Sequence, residues 1–545
     1  MTGGRTGIRL RGTAAALLGA AALAAAFPNT NATWLAPFGA AAIFWAWQGL
    51  SWRSAAVTGW LAGLVFFGMD YAWVGYTVSH YVGVFGPFIP LGIGLIEAPF
   101  LALAGVLCAI AYKYVTPALA PAGAAAAFTI CEWLRSVGVL GAPFDQLGYT
   151  QADGPLRAIA AFAGTYGITL AICVLGAYIA DALHRRTWRP LAIAAGATLA
   201  AALGCWIAWP ARVLPPATIR VAAVQGNIAQ SLKWDNLSLA VDRYTAMTHQ
   251  AMLERPRLIV WPETVITTVL SERPELIWKF GQLAREAGAT IVVGALDFDR
   301  DGMHNALFIF APDGTSQVYH KRQLVPFAED FPGEAYLSWL PYVGELSAHN
   351  TPGTVDGVYP TAALSIGPLI CWESAFADLA YAQVRRGAQL LVVSTDDAWF
   401  GRTSEPYMHA QIAQLRAIEM GRYVIRAAAT GISGIVAPNG AWTAREGMDR
   451  QGVVAGEVGP PLPTLFSRIG PTTVAAFIVL LYAALLLGAR RKSDQERRSS
   501  TSTFAPGPGS STRCWRVSRS RCGSSSASCS PAAASPRFRP RTYRW

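Results

Sequence analysis

The stretch Leu258-Ile259-Val260-Trp261-Pro262-Glu263-Thr264 decides how the middle of this chain folds. Four apolar residues match a buried strand and fall far short of the ~20 needed to cross a bilayer. The proline stops the run, and a carboxylate follows at the point where a strand gives way to a loop. Runs of the same kind recur at Ile219–Val224, Thr290–Gly294, Ala306–Phe310, Leu369–Trp372 and Leu390–Ser394, with helical patterns between them at 236–254, 272–287 and 405–421. Alternation of short apolar runs with helices predicts a layered α/β domain over residues 211–468.

The flanks read differently. Apolar windows near membrane-spanning length lie at 12–28, 34–50, 54–78, 86–112, 117–134, 157–182 and 190–209, and one more at 470–489. They predict a multi-span α-helical membrane bundle: a membrane domain of about seven helices over 1–210 and a last transmembrane helix over 469–490. The first window follows Arg5, Arg9 and Arg11 and ends in an alanine-rich run, so a cleaved signal peptide is its alternative reading. Loop charge orients the bundle. Arg53, Lys113, His184-Arg185-Arg186 with Arg189, and Arg490-Arg491-Lys492 fall on one side, against only His80 and Arg135 on the other. The positive-inside rule therefore places 211–468 outside a cytoplasmic-type membrane.

Composition agrees, with 14% charged residues and 53% apolar ones. The net charge of +11 resembles a nucleic-acid signal until it is located. Residues 490–545 hold thirteen Lys or Arg against Asp494 and Glu496, a balance that accounts for the whole excess. Residues 491–545, basic and rich in Ser and Pro, are expected to be a disordered cytoplasmic tail, and no nucleic-acid partner is implied. The eight cysteines form no CxxC pair and no zinc spacing, and HExxH is absent, which argues against a disulfide framework or a metal centre.

Three polar residues stand where a buried run meets a loop: Glu263, Lys321 after Tyr319-His320, and Cys371 after Leu369-Ile370. A carboxylate, an ammonium and a thiol suffice for acyl transfer without metal or cofactor. Glu263 would take the thiol proton, Cys371 would attack as thiolate, and Lys321 would stabilise the oxyanion. Taken singly, each also has a plain structural reading: a buried small side chain, a surface cation, a loop cap. His320 offers a rival Cys–His pairing.

Together the residues resemble the carbon-nitrogen hydrolase (nitrilase) superfamily, whose Glu-Lys-Cys triad appears in this order. The flanks resemble its apolipoprotein N-acyltransferase branch. The matching stretches are Gln225-Gly226-Asn227-Ile228, Lys233-Trp234-Asp235, Trp261-Pro262-Glu263-Thr264, His304-Asn305-Ala306, Lys321-Arg322-Gln323-Leu324-Val325-Pro326-Phe327, Cys371-Trp372-Glu373, Asp397-Ala398-Trp399-Phe400-Gly401, and Glu132-Trp133-Leu134-Arg135 followed by Gly148-Tyr149.

The resemblance implies a nitrilase-like α-β-β-α sandwich, active-site support from Glu329 and Glu373, and substrate binding by Trp234, Asn305, Trp372 and Trp399. It implies a bacterial inner-membrane enzyme with its catalytic domain on the periplasmic side. The partners would be a phospholipid acyl donor, a diacylglyceryl-modified apolipoprotein acceptor and membrane lipid, with no cofactor. Three departures stand out: Asp396 where the family usually has Asn, His320 where a tyrosine often precedes the lysine, and Trp372 where a tyrosine often follows the cysteine. Two rival functions share much of the pattern. One is a membrane-tethered amidase or nitrilase that uses water as acceptor, and the other is a transporter or scaffold with an inactive outer domain.

Overall fold

The computed structural model describes residues 2–502 apart from 29, 83–85, 87, 338–347, 356 and 362. Every apolar window of the N-terminal third forms helix: α1 (Thr2–Ala24), α2 (Leu35–Trp47), α3 (Trp52–Asp70), α4 (Ala72–Val82), α5 (Ile89–Tyr114), α6 (Ala120–Arg135), α7 (Ala160–Arg185) and α8 (Arg189–Ala208). Proline in the first turn of α5, α6 and α8 sets φ where the backbone N–H needs no partner. Small residues let the helices approach closely. A Cβ on Gly105 of α5 would lie 2.4 Å from the Ala55 carbonyl oxygen of α3, too close for any larger side chain.

Among the described residues, four helices are long and apolar enough to cross a membrane: Ile89–Tyr114, Arg157–Arg185, Arg189–Ala208 and Pro471–Gly488. The number is five if α3 and α4, bent by 52° at Tyr71, make one span, while Leu10–Ala24 and Leu35–Trp47 are apolar but shorter. The last helix runs on to Ser502, past the expected boundary at 490, and the remainder of the tail lies outside the described residues.

The middle of the chain forms two sheets. Strands β1 (Ile219–Gln225), β2 (Leu258–Val260), β3 (Ile266–Val269), β4 (Thr290–Asp299), β5 (Gly302–Phe310), β6 (Ser316–His320), β7 (Tyr359–Pro360), β8 (Ser365–Ile370), β9 (Leu390–Thr395), β10 (Tyr423–Ala428), β11 (Ser433–Val436), β12 (Trp442–Glu446) and β13 (Gly452–Val458) follow in chain order. The first sheet runs β13-β1-β2-β4-β5-β6 with β3 on β4, and the second runs β12-β11-β10-β9-β8-β7. Each of the six apolar runs read from the sequence falls on a strand, though Trp261 lies just past β2 and Cys371-Trp372 just past β8, and both β1–β2–β4 and β8–β9–β10 are parallel.

The inner faces meet. Val221, Ala223, Val260, Val292 and Ile309 share one core with Ile366, Ile370, Val392 and Ile425. Helices α9 (Leu237–Met252) and α10 (Pro274–Ala287) cover the outer face of the first sheet. Helices α11 (Ala377–Arg385) and α12 (Glu405–Met420) cover that of the second. This is the expected α-β-β-α sandwich. The core behind the second sheet is continuous with that of the helical bundle, because Leu391, Val393, Ile412 and Leu415 belong to one cluster with Phe44, Tyr149 and Tyr166.

Candidate active site

Glu263, Lys321 and Cys371 each follow the C-terminal end of a strand, namely β2, β6 and β8. The Glu263 loop crosses directly over Gly294 of β4, where a Cβ would lie 2.1 Å from the Pro262 carbonyl oxygen. Glycine there lets the carboxylate reach the space between the sheets. Cys371 has φ +50°, in the left-handed region, at the start of a 3₁₀ turn Cys371–Ala375. Such a conformation costs of order 1–3 kcal/mol in a non-glycine residue and persists only where the surroundings enforce it.

The surroundings can be named. The Ser374 hydroxyl donates to the Cys371 carbonyl at 2.9 Å, and His409 Nε2 lies 3.1 Å from the same oxygen and 2.7 Å from Ser374 Oγ. Glu373 accepts the N–H of Ile370 at 2.7 Å and that of Arg322 at 2.7 Å, as well as the Tyr319 hydroxyl at 2.8 Å. One fully buried carboxylate thus ties the Cys371 turn to the loop after Lys321, and burial raises its pKa despite those donors. All the hydrogen bonds named for Glu373 go to backbone N–H groups and the Tyr319 hydroxyl, as a structural brace requires.

The other carboxylates hold the lysine. Lys321 Nζ lies 3.1 Å from Glu263 Oε1 and 2.7 Å from Glu329 Oε2. Burial alone would lower its pKa, but Glu263, Glu329 and Cys371 carry it well above the ordinary value, so it is an ammonium. Asn305 donates from Nδ2 to Glu263 Oε1 at 2.7 Å and to Glu329 Oε1 at 2.9 Å. It is buried between the two acids, which fits orientation of the carboxylates better than contact with a substrate. Burial pushes the Cys371 thiol well up, Glu263 adds to this, and Lys321 opposes it.

Asp396 does not leave a bare charge. Its carboxylate pairs with the buried Lys233 ammonium, and its backbone N–H donates to Glu263 Oε2 at 2.9 Å. His320 fails as a rival base, because its Nε2 lies 2.7 Å from Asp297 Oδ2. Strand alternation turns it to the face opposite Lys321. The imidazole behind the Cys371 turn is His409, whose Nδ1 lies 3.4 Å from both Asp397 and Glu405. Burial and Arg426 alone would lower its pKa, and the two acids raise it instead.

Among the aromatic residues, Trp234 is half-exposed beside the Lys233 ammonium and Trp399 is half-buried. Trp372 stacks on Phe144, with centroids 4.6 Å apart and planes 13° apart. Phe144 belongs to the loop between α6 and α7. Trp73 of α4 lies 6.1 Å from Phe144 and edge-on to Phe400 at 5.1 Å. An aromatic chain therefore leads from the residue after Cys371 to the helical bundle. The sequence reading did not find Phe144, Trp73 or His409; the nearest signal was the Gly148-Tyr149 stretch, four residues beyond Phe144.

The family resemblance is borne out. The carbon-nitrogen hydrolase model matches residues 220–462, and the apolipoprotein N-acyltransferase N-terminal domain model matches residues 19–178. Similar proteins named apolipoprotein N-acyltransferase include one from Methylococcus capsulatus, 31% identical over 78% of this chain and 86% of its own length. One from Pseudomonas aeruginosa is 31% identical over 79% and 88%, and one from Photobacterium profundum is 28% identical over 75% and 82%. A sandwich with an acid, a lysine and a cysteine at its strand ends, fused to a helical bundle that meets those relatives along most of their length, leaves one assignment: the chain belongs to the apolipoprotein N-acyltransferase family.

Proposed function

We propose that this chain N-acylates the α-amino group of the diacylglyceryl-cysteine of apolipoproteins, with a phospholipid as acyl donor and a Cys371 thioester as intermediate. The observation that carries the reading is the buried Glu263–Lys321–Glu329 network set against a thiol in a left-handed turn, with Phe144 of the α6–α7 loop and Trp73 of α4 alongside.

In the first half-reaction Glu263 takes the Cys371 proton as sulfur attacks the donor ester carbonyl. Lys321 balances the developing oxyanion, and the backbone N–H after Cys371 is a second donor. Glu263 then protonates the departing lysophospholipid oxygen. In the second half-reaction the acceptor amine attacks the thioester, Glu263 takes the amine proton and returns it to sulfur, and the thiol is regenerated. Asn305 keeps the two carboxylates apart and oriented throughout. Two substrates taking turns at one thiol give ping-pong kinetics.

The membrane part gives the lipid a reason to be there. Each buried CH₂ of an acyl chain contributes ~0.8 kcal/mol, so the chain stays in apolar surroundings while its ester reaches the sulfur. With α3 and α4 taken as one span and the shorter apolar helices counted, residues 1–210 supply seven spans and 469–490 the eighth, the catalytic domain 211–468 lies on the periplasmic face of the inner membrane, and 491–545 form a cytoplasmic tail. Loop charge supports this orientation. Protease added to intact spheroplasts should then cut within 211–468, whereas protection of that segment would overturn the orientation.

The chemistry is tested by mass analysis after exposure to phospholipid. An acyl adduct on Cys371 is expected, absent in Cys371→Ala and reduced in Glu263→Gln. Adding a diacylglyceryl lipopeptide should move the acyl group to its amine; free fatty acid alone would make the chain a hydrolase that uses water.

A further inference from the structure

Antiparallel pairing of β4, β5 and β6 does more than carry Asn305 and Lys321 to the active-site face. Side chains alternate along a strand, so His304 and His320, each one residue before those two, point to the opposite face. There the two imidazoles stack, with centroids 4.0 Å apart and planes 4° apart. Asp297, directly across the ladder from His304, and Asp299, two residues on, face the same way.

The hydrogen bonds leave something to be supplied. His304 Nδ1 lies 2.8 Å from the Thr351 carbonyl oxygen, which can only accept, so Nδ1 carries the hydrogen. That leaves Nε2 with its lone pair facing Asp299 Oδ1 at 2.9 Å, and two acceptors at that distance need a proton or a cation between them. A ring N–H tied to a backbone carbonyl is also how metal-ligating histidines are held and their tautomer fixed. One ligand atom each from Asp299, His304 and His320 lies within 4.8 Å of the others, and Asp297 Oδ2 is 2.7 Å from His320 Nε2.

We infer that Asp299, His304 and His320, with Asp297 beside them, form a site for one divalent transition-metal ion of the zinc type, on the face of the β5–β6 hairpin turned away from the triad. Two imidazoles and two carboxylates suit that class, and two carboxylates neutralise the ion. Bonds of ~2.0–2.2 Å require the parallel rings to tilt together, a motion the broad χ2 well of histidine allows. Asp299 reaches solvent, which gives the ion an entry path. Occupancy would brace the hairpin that presents Lys321 and Asn305 without entering the reaction. Sequence spacing did not signal this site because strand pairing, not proximity along the chain, brings the ligands together.

The test uses the full chain, tag-free in detergent micelles, stripped with EDTA and titrated with Zn²⁺ by calorimetry, with Co²⁺ absorption as a second readout. One equivalent should bind, the melting temperature should climb with Zn²⁺ concentration, and Co²⁺ should give the visible bands of a four-coordinate site. His320→Tyr and Asp299→Asn should each weaken binding more than about tenfold. The inference is overturned if wild type binds no stoichiometric ion, or if both variants bind as wild type does, in which case other histidines are responsible. Neither readout depends on acyl transfer, so the site and the proposed reaction stand or fall separately.

Discussion

Six of the sixteen residues of α9, behind the first sheet, are buried, whereas every residue of α12, behind the second, is buried except Tyr407. The first layer meets solvent, as an amphipathic helix on an independent domain does. The second is wedged between its sheet and the helical bundle. Glu263 and Lys321 come from the first layer, and Cys371 comes from the second. Glu263 and Lys321 therefore sit on a sheet whose outer wall meets solvent, while Cys371 sits on one whose outer wall is the helical bundle. Perturbing each side should give different symptoms.

The largest effect breaks the chemistry on both sides at once. Cys371→Ala should lower acyl transfer from phospholipid to lipopeptide by at least about 10⁴-fold, since loss of a covalent nucleophile removes the step itself. Lys321→Met should cost about 10²–10³-fold, the usual consequence of removing one oxyanion donor. If Lys321→Met keeps wild-type turnover, the first layer does not supply the electrostatics assigned to it.

Next in size is a charge balance that joins the two layers. Lys233 precedes α9 and Asp396 follows β9, and their buried pair adjoins Glu263 through the Asp396 N–H. Removing one partner of a buried pair costs about 3–5 kcal/mol because the other charge is stranded, whereas removing both is close to neutral. Lys233→Met should thus lower the melting temperature and activity sharply, and Lys233→Met with Asp396→Asn should restore most of the stability. A double variant as damaged as the single one would show that the lysine acts in its own right.

These two predictions mark how far the sequence could be read. The helices were legible because apolar windows of span length have few alternative uses, and Glu263, Lys321 and Cys371 were legible as a group only through the family resemblance, because each alone has a plain structural reading. Much of the second sheet was not. Strand β10 contains Arg426, a fully buried charge paired with Asp397 at 2.9 Å, and only tertiary structure makes a charge acceptable there. Strand β12 alternates at an edge and has no continuous apolar run. Asp396 stood out only as a departure from the family's usual Asn because its partner Lys233 is remote in sequence, and Phe144 was silent because loop residues announce nothing about what they stack on.

A smaller effect tests the thiol environment, and its sign is informative. Burial and Glu263 both raise the Cys371 pKa, so thiolate is scarce at neutral pH and grows with pH toward that raised value. Alkylation by iodoacetamide should rise about tenfold per pH unit from pH 6 to 9 without a plateau. Glu263→Gln removes a repelling negative charge, lowers the thiol pKa and should speed alkylation by up to roughly tenfold while acyl transfer falls. Loss of both rates together would mean that Glu263 only holds the fold.

The smallest effect isolates the membrane-side wall. The Tyr149 hydroxyl, on the loop between α6 and α7, donates to the Ala375 carbonyl of the nucleophile turn at 3.2 Å and accepts from Arg416 Nη2 of α12 at 3.0 Å. A second tie runs close by, where Glu419 accepts the Thr165 N–H of α7 at 2.7 Å. Tyr149→Phe keeps the ring and removes only the hydroxyl, so each lost bond should cost about 1 kcal/mol, more if Arg416 is left short of an acceptor. The expected result is a drop of a few degrees in melting temperature, with a severalfold loss of thioester formation. The Glu263–Lys321 network belongs to the other layer and should be unaffected, so the Glu263→Gln variant should accelerate alkylation by the same factor in the Tyr149→Phe background. If that factor changes, the loss of the Tyr149 hydroxyl reaches Glu263 across the sheets, and the division of labour between a solvent-faced first sheet and a bundle-braced second one fails.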